Sequence, residues 1–322
     1  MSYIKQAFKY QHEFWKYFIG FCFSFLGSQI IGAIFFFIAM AVKMVTDGTN
    51  AINLSDESSL MNIFDSNIML PVFLIPFAIG ILMLAGWMKW QHKQPIKYLF
   101  NAFGKLDYKK ILFSFLLWGS ITVIFTLVDY FMNPNDYVLN FHIVPFIILF
   151  IISIILIPLQ TSFEELLFRG YLMQGIGVAT KNRWVPLVVT SVVFGLMHSF
   201  NPEVAKTGPI IMVSYIGTGF LLGIMTLMDD GLELALGYHA ANNLIIALLV
   251  TSDWSVFQTH SILKDVSDPK VGAEIFLPVF VVYPILLLIY GKVYKWTNWK
   301  ERLFGKIKPP VTKLDDFEDT FL

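Results

Sequence analysis

Three short segments of this 322-residue chain place ionisable or carboxamide side chains inside apolar sequence. The first is Thr161-Ser162-Phe163-Glu164-Glu165-Leu166-Leu167-Phe168-Arg169-Gly170, the second Phe194-Gly195-Leu196-Met197-His198, the third His239-Ala240-Ala241-Asn242-Asn243. A charged group at mid-bilayer costs at least about 2.5–3.5 kcal/mol on insertion scales, so such groups usually have a task. Carboxylates and imidazoles exchange protons, and an imidazole with a carboxamide one turn away can offer two donors to one point, as an oxyanion requires. Of the six histidines, only His198 and His239 fall within apolar runs.

Helical spacing divides the work. Glu165 and Arg169 are four apart, share a face and can pair. Glu164 is rotated from Glu165 by about 100°. This separates a structural clamp, Glu165–Arg169, from a working carboxylate, Glu164. Phe194 and His198 are also four apart, so the ring can restrict the imidazole. His239 and Asn243 share a face, with Asn242 about 100° away. Each segment alone has a plainer reading: a charge cluster at a helix end, a hydrogen-bonded histidine, or a polar clamp between helices.

The elements that must position these residues are membrane spans. Hydrophobic residues make up 56% of the chain and charged ones 14%, more apolar than a water-exposed surface allows. The expected fold is all-α, a polytopic membrane protein of about eight transmembrane helices. Candidate spans are 17–42, 70–88, 111–132, 143–167, 185–200, 209–228, 232–250 and 275–295. Residues 1–296 are expected to form one transmembrane domain with a motif core at about 161–245, and 297–322 a polar cytoplasmic tail. The tail end, Asp315-Asp316-Phe317-Glu318-Asp319, reads as a disordered solvated segment. The single cysteine, Cys22, excludes an intramolecular disulfide and a thiolate zinc site. Zero net charge gives no sign of a nucleic-acid partner.

Lysine and arginine set the orientation. They concentrate in the N-terminal arm (Lys5, Lys9, Lys16), the second loop (Lys89 to Lys110), the fourth loop (Arg169, Lys181, Arg183) and the tail. Even-numbered loops and both termini are therefore expected on the cytoplasmic side, in a bacterial inner (plasma) membrane. Glu164 and His198 each lie about 20–25 Å along a helix from the Lys181–Arg183 hinge, so they share a height. His239 lies about 12 Å from Gly231. These heights agree if the Glu164–Lys181 hairpin projects about 10 Å into the cytosol, which favours a site nearer the cytoplasmic face and open to it. A straight helix over 143–180 would be about 55 Å long, so a bend is expected near Pro158.

Together, the motifs resemble those of the CPBP family, the CAAX proteases and bacteriocin-processing enzymes also called Abi. That pattern, Glu-Glu-x-x-x-Arg, Phe-x-x-x-His and His-x-x-x-Asn, is complete here as Glu164-Glu165-x-x-x-Arg169, Phe194-x-x-x-His198 and His239-x-x-x-Asn243. The family resembles the type II CAAX prenyl endopeptidase. The resemblance implies an intramembrane endopeptidase acting on a peptide or protein, with a prenylated or lipidated substrate and membrane lipid as partners. It implies that Glu164 and His198 activate a water, that His239 and Asn243 stabilise the oxyanion, and that Glu165, Arg169 and Phe194 support them. Glu164, His198 and His239 are also the candidate donor set for zinc, but without a His-Glu-x-x-His pair the metal-free glutamate account is favoured and no cofactor is expected. A non-catalytic immunity or membrane-partner role in the same family is the alternative. A small-molecule transporter is disfavoured, because no inverted repeat is apparent.

Overall fold

The computed structural model describes residues 3–47, 64–269 and 271–310. Most of the first loop and the acidic tail end, Asp315 to Asp319, lie outside the described residues. Eight helices stand where the eight apolar runs predict them: α1 (Phe14–Asp47), α2 (Ser66–His92), α3 (Tyr108–Met132), α4 (Ile143–Thr180), α5 (Trp184–Leu196), α6 (Met212–Asp229), α7 (Glu233–Leu249) and α8 (Ala273–Val293). Among the described residues, all of these except α5 and α7 are long and apolar enough to cross a membrane. The outward faces are lined with exposed Phe, Ile, Leu and Val, as lipid-facing helices require.

Two features depart from the sequence expectations. A small three-stranded sheet joins Tyr137–Leu139 and Val250–Ser252 to a central strand, Leu263–Asp265, antiparallel and parallel respectively. Such short strands carry no readable periodicity. In α4 the helix runs through Pro158, and its departure from α-geometry comes later, as π-helix at Leu166–Leu172.

The loops sort onto two faces, as the alternation of lysines requires. On one face, Tyr3 N–H donates to Asp230 (2.9 Å), Gln6 Nε2 to the Tyr98 carbonyl (2.6 Å), and Arg302 to Asp230 (2.9 Å). Asn182 bridges to Lys306, and Asn101 to Gly231. The N-terminal arm, the start of the tail and the second, fourth and sixth loops therefore meet there, on what is called the terminal face. On the other, the sheet ties the third loop to the seventh, Val256 N–H donates to Glu203 (2.9 Å), and His260 pairs with Asp65 (2.9 Å). The start of the polar tail docks on the terminal face: Leu303 and Ile307 are buried there.

Helix packing then places the motifs. α1 packs on α2, α2 on α4, α4 on α7, α3 on α7 and α5 on α6. Small residues allow close approach, as usual between membrane helices. A Cβ at Gly219 of α6 would lie 2.6 Å from the Ser191 carbonyl oxygen of α5. The motif helices α4, α5 and α7 are thus locked in one cluster.

Candidate active site

Glu165 and Arg169 form the predicted clamp, wholly buried. Arg169 Nη1 donates to Glu165 Oε1 at 2.9 Å, and Nη2 to the Gly219 carbonyl at 3.2 Å. The guanidinium also lies 4.1 Å from the centre of the Phe194 ring. Arg169 was counted among the fourth-loop cations from sequence. The structure corrects this: its charge is consumed inside the bundle and contributes nothing to loop polarity.

Glu165 then reaches the third motif. Its Oε1 accepts from His239 Nδ1 at 2.8 Å. A carboxylate only accepts, so Nδ1 carries the proton, and Nε2 donates only when the ring is the imidazolium. That Nε2 lies 3.5 Å from Glu164 Oε2. The adjacent carboxylates thus diverge, Glu165 toward the clamp and Glu164 toward Gln160 on the cavity side. Glu164 Oε2 has no hydrogen-bond partner among the described residues.

His198 sits just past the end of α5, where the helix gives way to turns. Its Nδ1 bonds the Phe194 carbonyl at 2.8 Å, which leaves Nε2 as an acceptor in the neutral ring. Tyr215 stacks on it, with centroids 4.4 Å apart, and Phe194 flanks it at 4.9 Å. Charges on Glu164 and His239 are close enough to act on it electrostatically.

Asn243 does not converge with His239 on one point through this donor. Its Nδ2 donates to Gln160 Oε1 (3.1 Å), and Gln160 Nε2 donates to Glu164 Oε1 (2.7 Å). Asn242 Nδ2 donates to Asn243 Oδ1 (3.0 Å), and Trp118 Nε1 to Asn242 Oδ1 (3.1 Å). One relay therefore runs Trp118–Asn242–Asn243–Gln160–Glu164. Gln160 was missed from sequence. The signal was present: it is four residues before Glu164, on the same helical face, in an otherwise apolar stretch.

Glu164, His198, Gln160 and Asn243 line one cavity of about 680 Å³, within the range of small-ligand and peptide sites. Its far wall includes Glu203, Trp254, Val256 and Asp265, from segments opposite the terminal face. The sequence expectation of a site open to the terminal face is thus corrected. Helix lengths fixed the height of the motif residues but said nothing about which end was filled.

Among the described residues, no cluster of three or more His, Cys, Asp or Glu side chains is arranged to hold a metal. Both histidines commit Nδ1 to hydrogen bonds, which leaves Nε2 of each as the nitrogen a metal would take.

A helical membrane bundle with a carboxylate and a histidine lining one cavity, and a second histidine behind the carboxylate, defines the class of protein. Residues 141–245, which contain all three motifs, match the family model for type II CAAX prenyl endopeptidase Rce1-like proteins. The chain is also 30% identical over 290 residues to the uncharacterized protein YyaK of Bacillus subtilis (strain 168), covering 87% of this chain and 93% of that protein. No solved structure matches it. The chain belongs to the Rce1-like family.

Proposed function

We propose that this protein is an intramembrane endopeptidase that hydrolyses a peptide bond with water activated by Glu164 and His198. The observation that supports it best is the pairing of free acceptors. Glu164 and His198 both line the cavity, Glu164 Oε2 is buried with no hydrogen-bond partner among the described residues, and the other atoms of both groups are held by Gln160 and Phe194. A water giving its two hydrogens to these acceptors points a lone pair at a carbonyl carbon. Its oxygen bonds to that carbon, Glu164 takes one proton, and the proton passes to the departing amine nitrogen as the C–N bond breaks. His239 Nε2, which lies 3.5 Å from Glu164 and donates when the ring carries a second proton, and the second Asn243 N–H are the donors for the oxyanion. No serine or cysteine stands beside a base in this site, so an acyl-enzyme is not invoked.

The Lys-rich terminal face is taken as cytoplasmic, in a bacterial inner membrane. The substrate is a lipidated or membrane-associated peptide or protein. The test uses wild type and Glu164→Ala in mild detergent with a panel of prenylated and unprenylated peptides, with and without chelator. Cleavage by wild type alone supports the reading. Cleavage retained by both Glu164→Ala and His198→Ala overturns these assignments, and loss on chelation replaces glutamate chemistry with metal chemistry. An inactive wild type whose biological effect survives motif substitution belongs to a non-catalytic immunity role.

A further inference from the structure

The cavity is filled at one end and lined by loops at the other. Between Glu164 and the terminal face lies a buried layer: Leu166, Leu167, Phe168 and Tyr171 of the π-helical segment pack with Tyr3, Ile4, Leu99 and Ile307. These come from α4, the N-terminal arm, the second loop and the tail, so four separate segments contribute to the closure. Close packing of this kind leaves no route for a peptide chain.

The opposite end is built differently. Glu203, Trp254, Ser255 and Asp265 line the cavity there, held by the three-stranded sheet and by the Val256–Glu203 bond. Several polar atoms on this wall are buried and unpaired among the described residues: Glu203 Oε2, Trp254 Nε1 and, nearer α1, Gln29 Nε2. Buried polar groups are nearly always paired. The residues that carry them, with one acceptor and two donors, all line the cavity.

We infer that substrate is loaded from the face opposite the termini, and that it is a membrane-anchored peptide segment presented on the outer side of the membrane. This rests on the peptidase reading and on the cytoplasmic placement of the terminal face. A lipidated C-terminus approaching from the cytosol meets the closed layer. A segment at the outer leaflet passes Trp254 and Glu203 and extends inward to Glu164. Gln29 of α1 and Phe73 of α2 line the same cavity, so part of its wall comes from helices whose other faces meet lipid.

The test reads access without relying on catalysis. In full-length protein carrying Cys22→Ser, the native thiol is gone, and Met197→Cys (cavity wall), Ser255→Cys (outer end) and Lys105→Cys (terminal face) are made singly. Each is exposed to a membrane-impermeant maleimide in right-side-out and in inside-out vesicles. Expected is labelling of Met197→Cys and Ser255→Cys in right-side-out vesicles, its loss in inside-out vesicles, and the reverse for Lys105→Cys. Labelling of Met197→Cys from the same side as Lys105→Cys overturns the inference, as does labelling from neither side while Ser255→Cys reacts. Failure of the peptidase reading shows separately, as absence of cleavage by wild type in detergent.

Discussion

Arg169→Met probes the frame that holds the whole site. Arg169 and Glu165 are both completely buried, 2.9 Å apart. The guanidinium also satisfies the Gly219 carbonyl and lies against Phe194. Methionine fills much of the volume but leaves Glu165 as a buried carboxylate whose remaining partner is His239 at 2.8 Å. Removing one member of a buried pair costs about 3–5 kcal/mol, mostly from the stranded charge. Reversible unfolding in mixed detergent, followed by tryptophan fluorescence, should show that loss. The double variant Arg169→Met/Glu165→Gln carries no stranded charge and keeps an acceptor for His239 Nδ1, so it should recover most of the stability. A single variant within about 1 kcal/mol of wild type, the size of an exposed pair, would refute the reasoning, as would a double variant less stable than the single.

Three further outcomes follow from the same geometry. Gln160→Leu leaves Glu164 Oε1 and Asn243 Nδ2 without their present partner; if about 1–3 kcal/mol is felt in the transition state, kcat falls about ten- to hundredfold with KM unchanged, and a change in KM alone would instead make Gln160 a substrate-binding residue. Gly219→Val drives a side chain into the Ser191 carbonyl and should cost about 1–3 kcal/mol by overpacking, read as a lower melting temperature in detergent; an unchanged melt would contradict the close contact of α5 and α6. At the outer end, burial pushes the Glu203 carboxyl above the ordinary glutamate value, and the Val256 N–H pulls it partly back. The folded state then holds the proton where the unfolded chain has released it, so the penalty is absent below the ordinary range and complete above the raised value; Glu203→Gln should be more stable than wild type at neutral pH and lose that advantage in acid, and equal stability at neutral pH would remove burial as the cause.

Much of this was legible in the sequence, for physical reasons. Lipid demands long apolar helices, so the eight runs announce themselves. The alternation of lysines anticipates the two faces onto which the loops sort. The i,i+4 spacing foretold the Glu165–Arg169 clamp, since both residues lie on one helix. What crosses between helices was hidden. That His239 Nδ1 turns to Glu165 while Asn243 turns to Gln160 depends on the rotation of α7 against α4, which no single-chain periodicity encodes. The π-helical turn at Leu166–Leu172 was not foreseen either, because its cause lies in packing between helices and not in a residue type.

The π-helical segment connects these points. Leu166–Leu172 follows Glu165 directly and contains Arg169. Single turns of π-helix are often found at functional sites. Here the segment turns Arg169 inward to Glu165 and Gly219, while Leu166, Leu167 and Tyr171 fill the layer beneath the cavity. Closing the terminal face and orienting His239 through Glu165 are therefore one act of packing. Loosening that layer should disturb the imidazole as well as the closure, even though none of its apolar residues touches His239 through a polar atom. Height along a helix is fixed by counting residues, but the open end of a cavity is fixed by where the large buried side chains gather. In this chain they gather on the side of the termini.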